Sequence, residues 1–356
     1  MLKDFELEKI VEPLQEWFQQ SARVLPWREN PKAYYVWVSE IMLQQTRVEA
    51  VKPYFERFIL ELPDVEALAN CREDRLLKLW EGLGYYNRVR NMKIAASQIM
   101  EQYSGVLPKE YEKLIKLKGI GPYTAGAISS IAYGQPNPAV DGNVFRVLSR
   151  VTRDDSDIMK PSVRKEYESV LREVMTNSSA VKPSVFNQAL MELGACVCVP
   201  NGEPHCQACP LKELCLAERE ENPMDYPVKS KAKERRVEKK TILVVKDDER
   251  VALHKREKKG LLAGLYEIPG MEGHRSEQEV LEYLKEHGFS PLRIQPLAGS
   301  RHIFSHIEWE MIGYLVKVEE IYEQNLDWIF VEKEDAKEKY AIPTAFRAYA
   351  DWLTKE

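Results

Sequence analysis

The hydrophobic periodicity of the chain changes once, and that change limits the folds open to it. Up to about residue 240, apolar residues recur three and four apart, as in Leu7, Ile10, Val11, Leu14, Trp17 and Phe18, and no stretch alternates convincingly. From Lys240 onward the pattern turns strand-like, over 241–245, 251–254 and 311–316. The chain of 356 residues is long enough for two domains of ordinary size. An all-α domain over residues 1–220 and an α+β domain over 238–356 are expected. Residues 221–237 between them are poor in apolar side chains and rich in charge, which reads as a linker.

Composition narrows the function classes. No run of about 18 apolar residues exists, so no membrane partner is expected. The first residues lack the apolar stretch of a signal peptide, which predicts a cytoplasmic protein. A net charge of −5 means that any nucleic-acid surface must be a local patch. Five of the six cysteines fall between Cys196 and Cys215, an arrangement that favours a metal or iron–sulfur site over disulfides.

Within the helical region the spacing predicts helices over 1–22, 34–51, 53–61, 64–69, 73–81, 87–103, 161–176 and 181–195. A Gly-x-Gly turn, Gly119-Ile120-Gly121, joins an amphipathic segment at 111–117 to a small-residue helix at 124–131. Glycines there permit positive φ and let an anion approach N–H groups at a helix start. Glu40 lies four after Val36 and three before Leu43, on an apolar helix face where desolvation would raise its pKa. The polar run Leu43-Gln44-Gln45-Thr46 follows it. Asp141 precedes the apolar run of Val144, Phe145, Val147 and Leu148, so it reads as an N-cap that the helix terminus keeps ionised. Tyr85 and Tyr86, in a glycine-rich loop, suit a wedge into a base stack or ordinary packing.

Four cysteines, Cys198, Cys206, Cys209 and Cys215, can close around one metal centre. Zinc accepts four thiolates, but its usual pattern is two close pairs, and only one Cys-x2-Cys occurs here. A compact set of this kind favours a cubane iron–sulfur cluster. Cys71 and Cys196 read as packing residues.

Taken together, the motifs resemble the helix-hairpin-helix DNA glycosylases, and within them the adenine glycosylases of the MutY type. The matching stretches are Leu25-Pro26-Trp27-Arg28, Ser39-Glu40 through Gln45-Thr46, Gly82-Leu83-Gly84-Tyr85-Tyr86, Gly119 through Ala125, Val140-Asp141-Gly142-Asn143 and the cysteine quartet. The resemblance implies an all-α glycosylase domain, with a six-helix subdomain over about 28–135. A cluster subdomain would form from the N-terminus and 136–220, leaving the active site in a cleft. It implies a [4Fe–4S] cluster on the four cysteines, although the family usually has six residues, not seven, ahead of its second cysteine. It also implies a monomer acting on double-stranded DNA with adenine mispaired with 8-oxoguanine or guanine. Glu40 would protonate adenine and Asp141 would stabilise the sugar cation, with Tyr123 and Asn143 orienting them. Arg28 and Gln188 would line the adenine pocket. Leu43, Gln45, Thr46 and Tyr85 would meet the mispair, and Gly119 and Gly121 the DNA backbone. Tyr123 stands where endonuclease III-type enzymes carry the lysine that forms a Schiff base, which implies base excision without strand cleavage.

The C-terminal region resembles the Nudix-like domain of the same glycosylases, but residues 278–283 lack the metal-binding Nudix signature. It is therefore expected to read and not to hydrolyse, with Phe304, Ser305 and His306 as the 8-oxoguanine recognition loop. Two rivals remain open at this point. One is a bifunctional glycosylase/lyase, and the other is a non-catalytic iron–sulfur DNA-binding protein.

Overall fold

The computed structural model describes residues 5–230, 234–320 and 327–355. A short 3-10 turn, Leu7–Ile10, leads into α1 (Val11–Ser21), followed by α2 (Pro26–Glu29), α3 (Ala33–Leu43), α4 (Val48–Glu61) and α5 (Val65–Asn70). After α6 (Glu73–Leu79) and α7 (Asn87–Tyr103) come α8 (Tyr111–Leu114), α9 (Pro122–Ala127), α10 (Gly142–Thr152), α11 (Pro161–Asn177), α12 (Pro183–Cys196) and α13 (Leu216–Arg219). Pro122, Pro161 and Pro183 each stand in a first turn, where the missing N–H costs nothing and φ is already helical. No helix among the described residues is long and apolar enough to cross a membrane.

Two compact units form: Met1–Asn70 with Arg90–Lys231, and Cys71–Val89 with Ala232–Glu356. In the helical unit, α1 packs on α12, and α10 on α12 and α13. Their apolar stripes share one core, in which Leu14, Val144, Leu148, Leu171, Phe186 and Leu190 are buried. Helix α3 is buried nearly all round and carries the apolar Val36, Trp37, Val38, Ile41 and Met42 into the interior.

Several expected boundaries move. The helix expected over 34–51 is two helices, because the backbone turns at Gln44 and Gln45 adopts the left-handed region with φ 60. Nothing in the residue types marks this break, and it turns Gln44 and Thr46 into the cleft described below. The segment 111–117 is helical only to Leu114 and tightens into successive turns, Leu117 N–H to Leu114 O and Ile120 N–H to Leu117 O. Helix 124–131 changes character at Ile128, where a π-helical turn, Ile128–Ala132, takes over. Only Gly119 of the glycine pair uses positive φ, at 77; Gly121 is extended, at −92. Part of the expected linker is folded: Pro223–Asp225 forms a 3-10 turn, and Tyr226 O and Val228 O accept from Arg150 and the Ile158 N–H.

The sheet unit contains β1 (Arg236–Lys246), β2 (Arg250–Lys255), β3 (Tyr266–Glu267), β4 (Gly270–Glu272), β5 (Pro291–Ile303), β6 (Ile307–Val318) and β7 (Trp328–Glu332). The sheet order is β3-β2-β1-β6-β5, with β4 on β1 and β7 on β2. Strands β1 and β6 run parallel in register from Arg236↔Ile307 to Lys246↔Lys317. Alternation along β1 sends Ile242 and Val244 to one core and Leu243 and Val245 to the other. Helix α14 (Glu277–Glu286) covers the second core through Val280 and Leu284, and starts on a Ser276/Glu279 capping box. Helix α15 (Lys333–Glu338) and the short α16 (Arg347–Ala350), flanked by 3-10 turns, cover the first. Residues 344–353 thus form three short helical pieces in succession. Strand β5 escaped the sequence pattern because its alternation is broken by irregularities between Pro291 and Arg293 and between Leu297 and Ser300.

Candidate active site

A cleft of about 950 Å³ opens in the helical unit between α3, α9, α10 and α12. It gathers Arg28, Glu40, Leu43, Gln45, Thr46, Tyr123, Asp141, Asn143 and Gln188, residues drawn from five separate stretches of sequence. Glu40 projects from the apolar α3 and is only 6% exposed, so its carboxyl has little water to support a charge. Burial lifts its pKa to about 7, the Tyr123 hydrogen bond opposes the rise, and the Asp141 charge adds to it. Tyr123, one residue into α9, donates its hydroxyl to Glu40 Oε2 and lies 3.3 Å from Met191 Sδ. Burial and the neighbouring carboxylates push the Tyr123 pKa well above 10, so the phenol remains a donor.

Asp141 caps α10, as its place before an apolar run predicts. Oδ1 accepts the N–H groups of Asn143 at 2.9 Å and Val144 at 2.8 Å, and Oδ2 accepts Asn143 Nδ2 at 2.7 Å. Capping is one of several influences on its ionisation. Burial raises its pKa, and the donors from Val144 and Asn143 only partly offset that rise. Asn143 is itself fixed, because its Oδ1 accepts Arg146 Nη2 at 2.8 Å, and Arg146 also reaches the carbonyls of Gly194 and Cys198.

One carboxylate of the cleft gave no sequence signal. Glu192, on α12, accepts Arg23 Nε at 2.6 Å, Arg23 Nη2 at 2.9 Å and Arg28 Nη2 at 2.8 Å. Burial alone would raise its pKa, but the two guanidinium groups carry it down to about 2. Arg28 is thereby aimed, and its Nε donates to Gln188 Oε1 at 3.1 Å. The side chain of Glu192 is 2% exposed, so removing it strands two cations. A Glu192→Ala variant should lose about 3 kcal/mol of stability, read from its urea midpoint. Because the folded pKa is depressed from 4.5, the wild-type advantage over Glu192→Gln should be full above that value and fade as pH falls toward 2.

The four cysteines line one small cavity with Arg150 and Lys212. Arg150 Nη1 lies 3.2 Å from Cys198 Sγ, and Cys196 lies apart, 3.7 Å from Glu192 Oε1. Burial and nearby negative groups push the Cys206 and Cys209 thiols up to about 12, so a resident cation would be needed to hold these two as thiolates. The donor set and its shared cavity fit a four-thiolate group, while among the described residues no three side chains are closed into a metal-ligand set.

The remaining expected residues lie outside the cleft. Gly119 sits with its α-carbon where a Cβ would come within 2.6 Å of Asn91, whereas a Cβ on Gly121 would meet open space. In the sheet unit, Phe304, Ser305 and His306 form the β5–β6 turn. Phe304 packs on Trp309 at 4.9 Å, leaving Ser305 and His306 exposed. Tyr85 belongs to the same unit, and its Oη is 3.3 Å from Ser305 Oγ. Gln45 and Tyr85 are two of the six described non-glycine residues with positive φ, at 60 and 47. Such strain of about 1–3 kcal/mol per residue is usual at functional positions.

Residues 38–173 match the HhH-GPD superfamily base excision DNA repair protein family, and residues 241–352 match the NUDIX domain. The adenine DNA glycosylase of Buchnera aphidicola from Acyrthosiphon pisum is 32% identical over 87% of this chain and 87% of its own length. The chain belongs to the adenine DNA glycosylase family. The Schizosaccharomyces pombe adenine DNA glycosylase is 31% identical over 93% of this chain and 86% of its own, and that of Rattus norvegicus 34% over 86% and 70%. Among solved structures, a thermostable thymine-DNA glycosylase superposes with a TM-score of 0.53 at 24% identity, covering 60% of this chain and 97% of that one. A non-covalent endonuclease III–DNA complex gives 0.50 at 21% identity, over 62% and 98%. Both likenesses bear on the fold, and they agree with a helical glycosylase domain. The glycosylase is thus a base-excision-repair enzyme with a helical HhH-GPD part followed by a Nudix-like C-terminal part.

Proposed function

We propose that the glycosylase acts as a monomer on double-stranded DNA and hydrolyses the N-glycosidic bond of adenine mispaired with 8-oxoguanine or guanine, leaving an abasic site. The observation that carries this reading is the Glu40–Tyr123–Asp141 constellation, an acid that keeps its proton near neutrality beside a fixed carboxylate. The adenine leaves the helical stack and enters the cleft, where Arg28 and Gln188 line its pocket. Glu40 gives its proton to the ring nitrogen N7, and the C1′–N9 electron pair departs with the base. The Asp141 carboxylate faces the resulting oxocarbenium-like sugar, a demand also met by paired carboxylates in sugar hydrolases. Tyr123 donates to the Glu40 carboxylate that proton transfer creates, and that carboxylate takes the proton of the water adding to C1′. Asn143 holds Asp141 in place. No amine occupies the Tyr123 position, so no Schiff base forms and the strand stays uncut.

Leu43, Gln45, Thr46 and Tyr85 would meet the mispair, with Gly119 and Gly121 on the DNA backbone. Phe304, Ser305 and His306 would read the 8-oxoguanine. Cys198, Cys206, Cys209 and Cys215 would hold a [4Fe–4S] cluster, which when bound ties the loop between α12 and α13 through metal–thiolate bonds.

A single-turnover assay on a duplex with one adenine opposite 8-oxoguanine tests the reading. Strand breaks should appear only after hot alkali, and borohydride should trap no adduct. Breaks without alkali would establish the lyase instead, and duplex binding without cleavage would leave only a binding protein.

A further inference from the structure

Residues 71–89 lie within the sequence matched to the glycosylase superfamily, yet they pack with the sheet unit. Two residues fasten them there. Lys78, on α6, sends its ammonium to the carbonyls of Lys337 at 2.6 Å and Tyr340 at 3.1 Å, at the C-terminal end of α15. A cation is favoured at such an end, where carbonyls lack helical partners. Glu81 completes the clamp: Oε2 accepts Lys78 Nζ at 2.6 Å, and Oε1 accepts the Ile342 N–H at 2.7 Å. Both side chains are largely covered, 17% and 29% exposed.

The turn that follows is stiff. Trp80 Nε1 donates to Gly84 O at 3.0 Å, Arg88 Nη2 donates to Leu83 O and Gly84 O, and the Arg88 guanidinium lies over the Trp80 and Tyr85 rings. At its tip Tyr85 meets Ser305. A rigid turn is thus anchored at one end by Lys78 and Glu81 and meets the base-reading loop at the other.

We propose that Lys78 and Glu81 are positioning residues for opposite-base preference: their clamp on the α15 end fixes the Tyr85 turn against the Ser305 loop, so that the two are presented to the base opposite adenine as one preset element. The proposal rests on the reading of residues 304–306 as the 8-oxoguanine loop. The chemistry in the cleft does not depend on it, so the clamp should set the difference between two substrates and leave the slower rate alone.

The experiment compares single-turnover rates and duplex affinities on adenine opposite 8-oxoguanine and adenine opposite guanine, for wild type, Lys78→Met, Lys78→Arg, Glu81→Ala and Ser305→Ala. Lys78→Met and Glu81→Ala are expected to shrink the preference for 8-oxoguanine roughly tenfold, while the rate opposite guanine stays within about twofold. Lys78→Arg, which keeps donors for the two carbonyls, should retain most of the preference. Equal losses on both substrates, or an unchanged ratio in Lys78→Met and Glu81→Ala, would overturn the proposal. If Ser305→Ala loses the preference and the clamp variants do not, the loop reading stands and the clamp fails. A wild type with no preference, or a Ser305→Ala variant that keeps it, brings down the loop reading and the clamp with it.

Discussion

A Glu40→Gln variant should bind the mispaired duplex and excise adenine on the order of 10²–10⁴-fold more slowly, the contribution expected of a positioned general acid. Glutamine has the shape of the protonated acid and can still accept from Tyr123, so the cleft should survive while the transferable proton does not. The wild-type rate should be level on the acid side of neutrality and fall as pH rises through about 7, where Glu40 ionises. The same group sets a stability effect of definite sign. Folded Glu40 keeps its proton up to about 7, whereas the unfolded chain releases it near 4.5. Between those values the native state binds more protons, so stability declines as pH rises. Glu40→Gln escapes this decline and should be about 2–3 kcal/mol more stable than wild type in mildly alkaline buffer. Rapid-quench kinetics and urea melts across neutral pH check both halves. A variant with near-wild-type rate, or one less stable at alkaline pH, would remove Glu40 from the acid's role.

Asp141→Asn is the second large effect expected, a loss of about 10²–10³-fold in single-turnover rate. Asparagine is nearly as good an N-cap as aspartate, so its carbonyl oxygen can keep the Asn143 and Val144 N–H bonds. Its amide nitrogen, however, would face the Asn143 amide nitrogen that now donates to Oδ2, and the negative charge would be gone. The melting temperature should drop modestly, in line with a cost of about 1 kcal/mol, while the chemistry suffers far more. Equal damage to fold and rate would make Asp141 a cap and nothing else. A rate within tenfold of wild type would relieve it of facing the sugar cation.

The sequence exposed those parts of the site that obey local rules. Glu40 stood out because a carboxylate interrupts an apolar helical stripe, and Asp141 because capping has a fixed grammar of residue types. The appended sheet was visible where its strands run into the core, as over 241–245 of β1 and 311–316 of β6. What stayed hidden depends on distant pairings. Arg23 and Glu192 are separated by 169 positions, and neither carries a pattern that names the other. Gly126 and Gly194 look like ordinary helix glycines, yet a Cβ would come within 2.0 Å of Pro138 O at the first and 2.5 Å of Asn143 Cβ at the second. These contacts let the segment that carries Asp141 and Asn143 sit close to its neighbouring helices, a demand of tertiary packing that propensity cannot encode. The break at Gln45 was likewise silent, since no glycine or proline marks it and its φ of 60 is imposed by the surrounding fold.

The clamp on α15 also has a timetable. Lys78 and its two carbonyl partners are 259 and 262 residues apart in the chain. At a synthesis rate of about 5–20 residues per second, Lys78 emerges roughly 10–50 s before either carbonyl exists. The helical unit, whose last residue is Lys231, has by then been made in full. A nascent chain therefore passes through a long interval in which its cleft residues are all present and the Tyr85 turn has nothing to fasten to. A message truncated in that interval would yield a protein with the cleft residues and without the clamp.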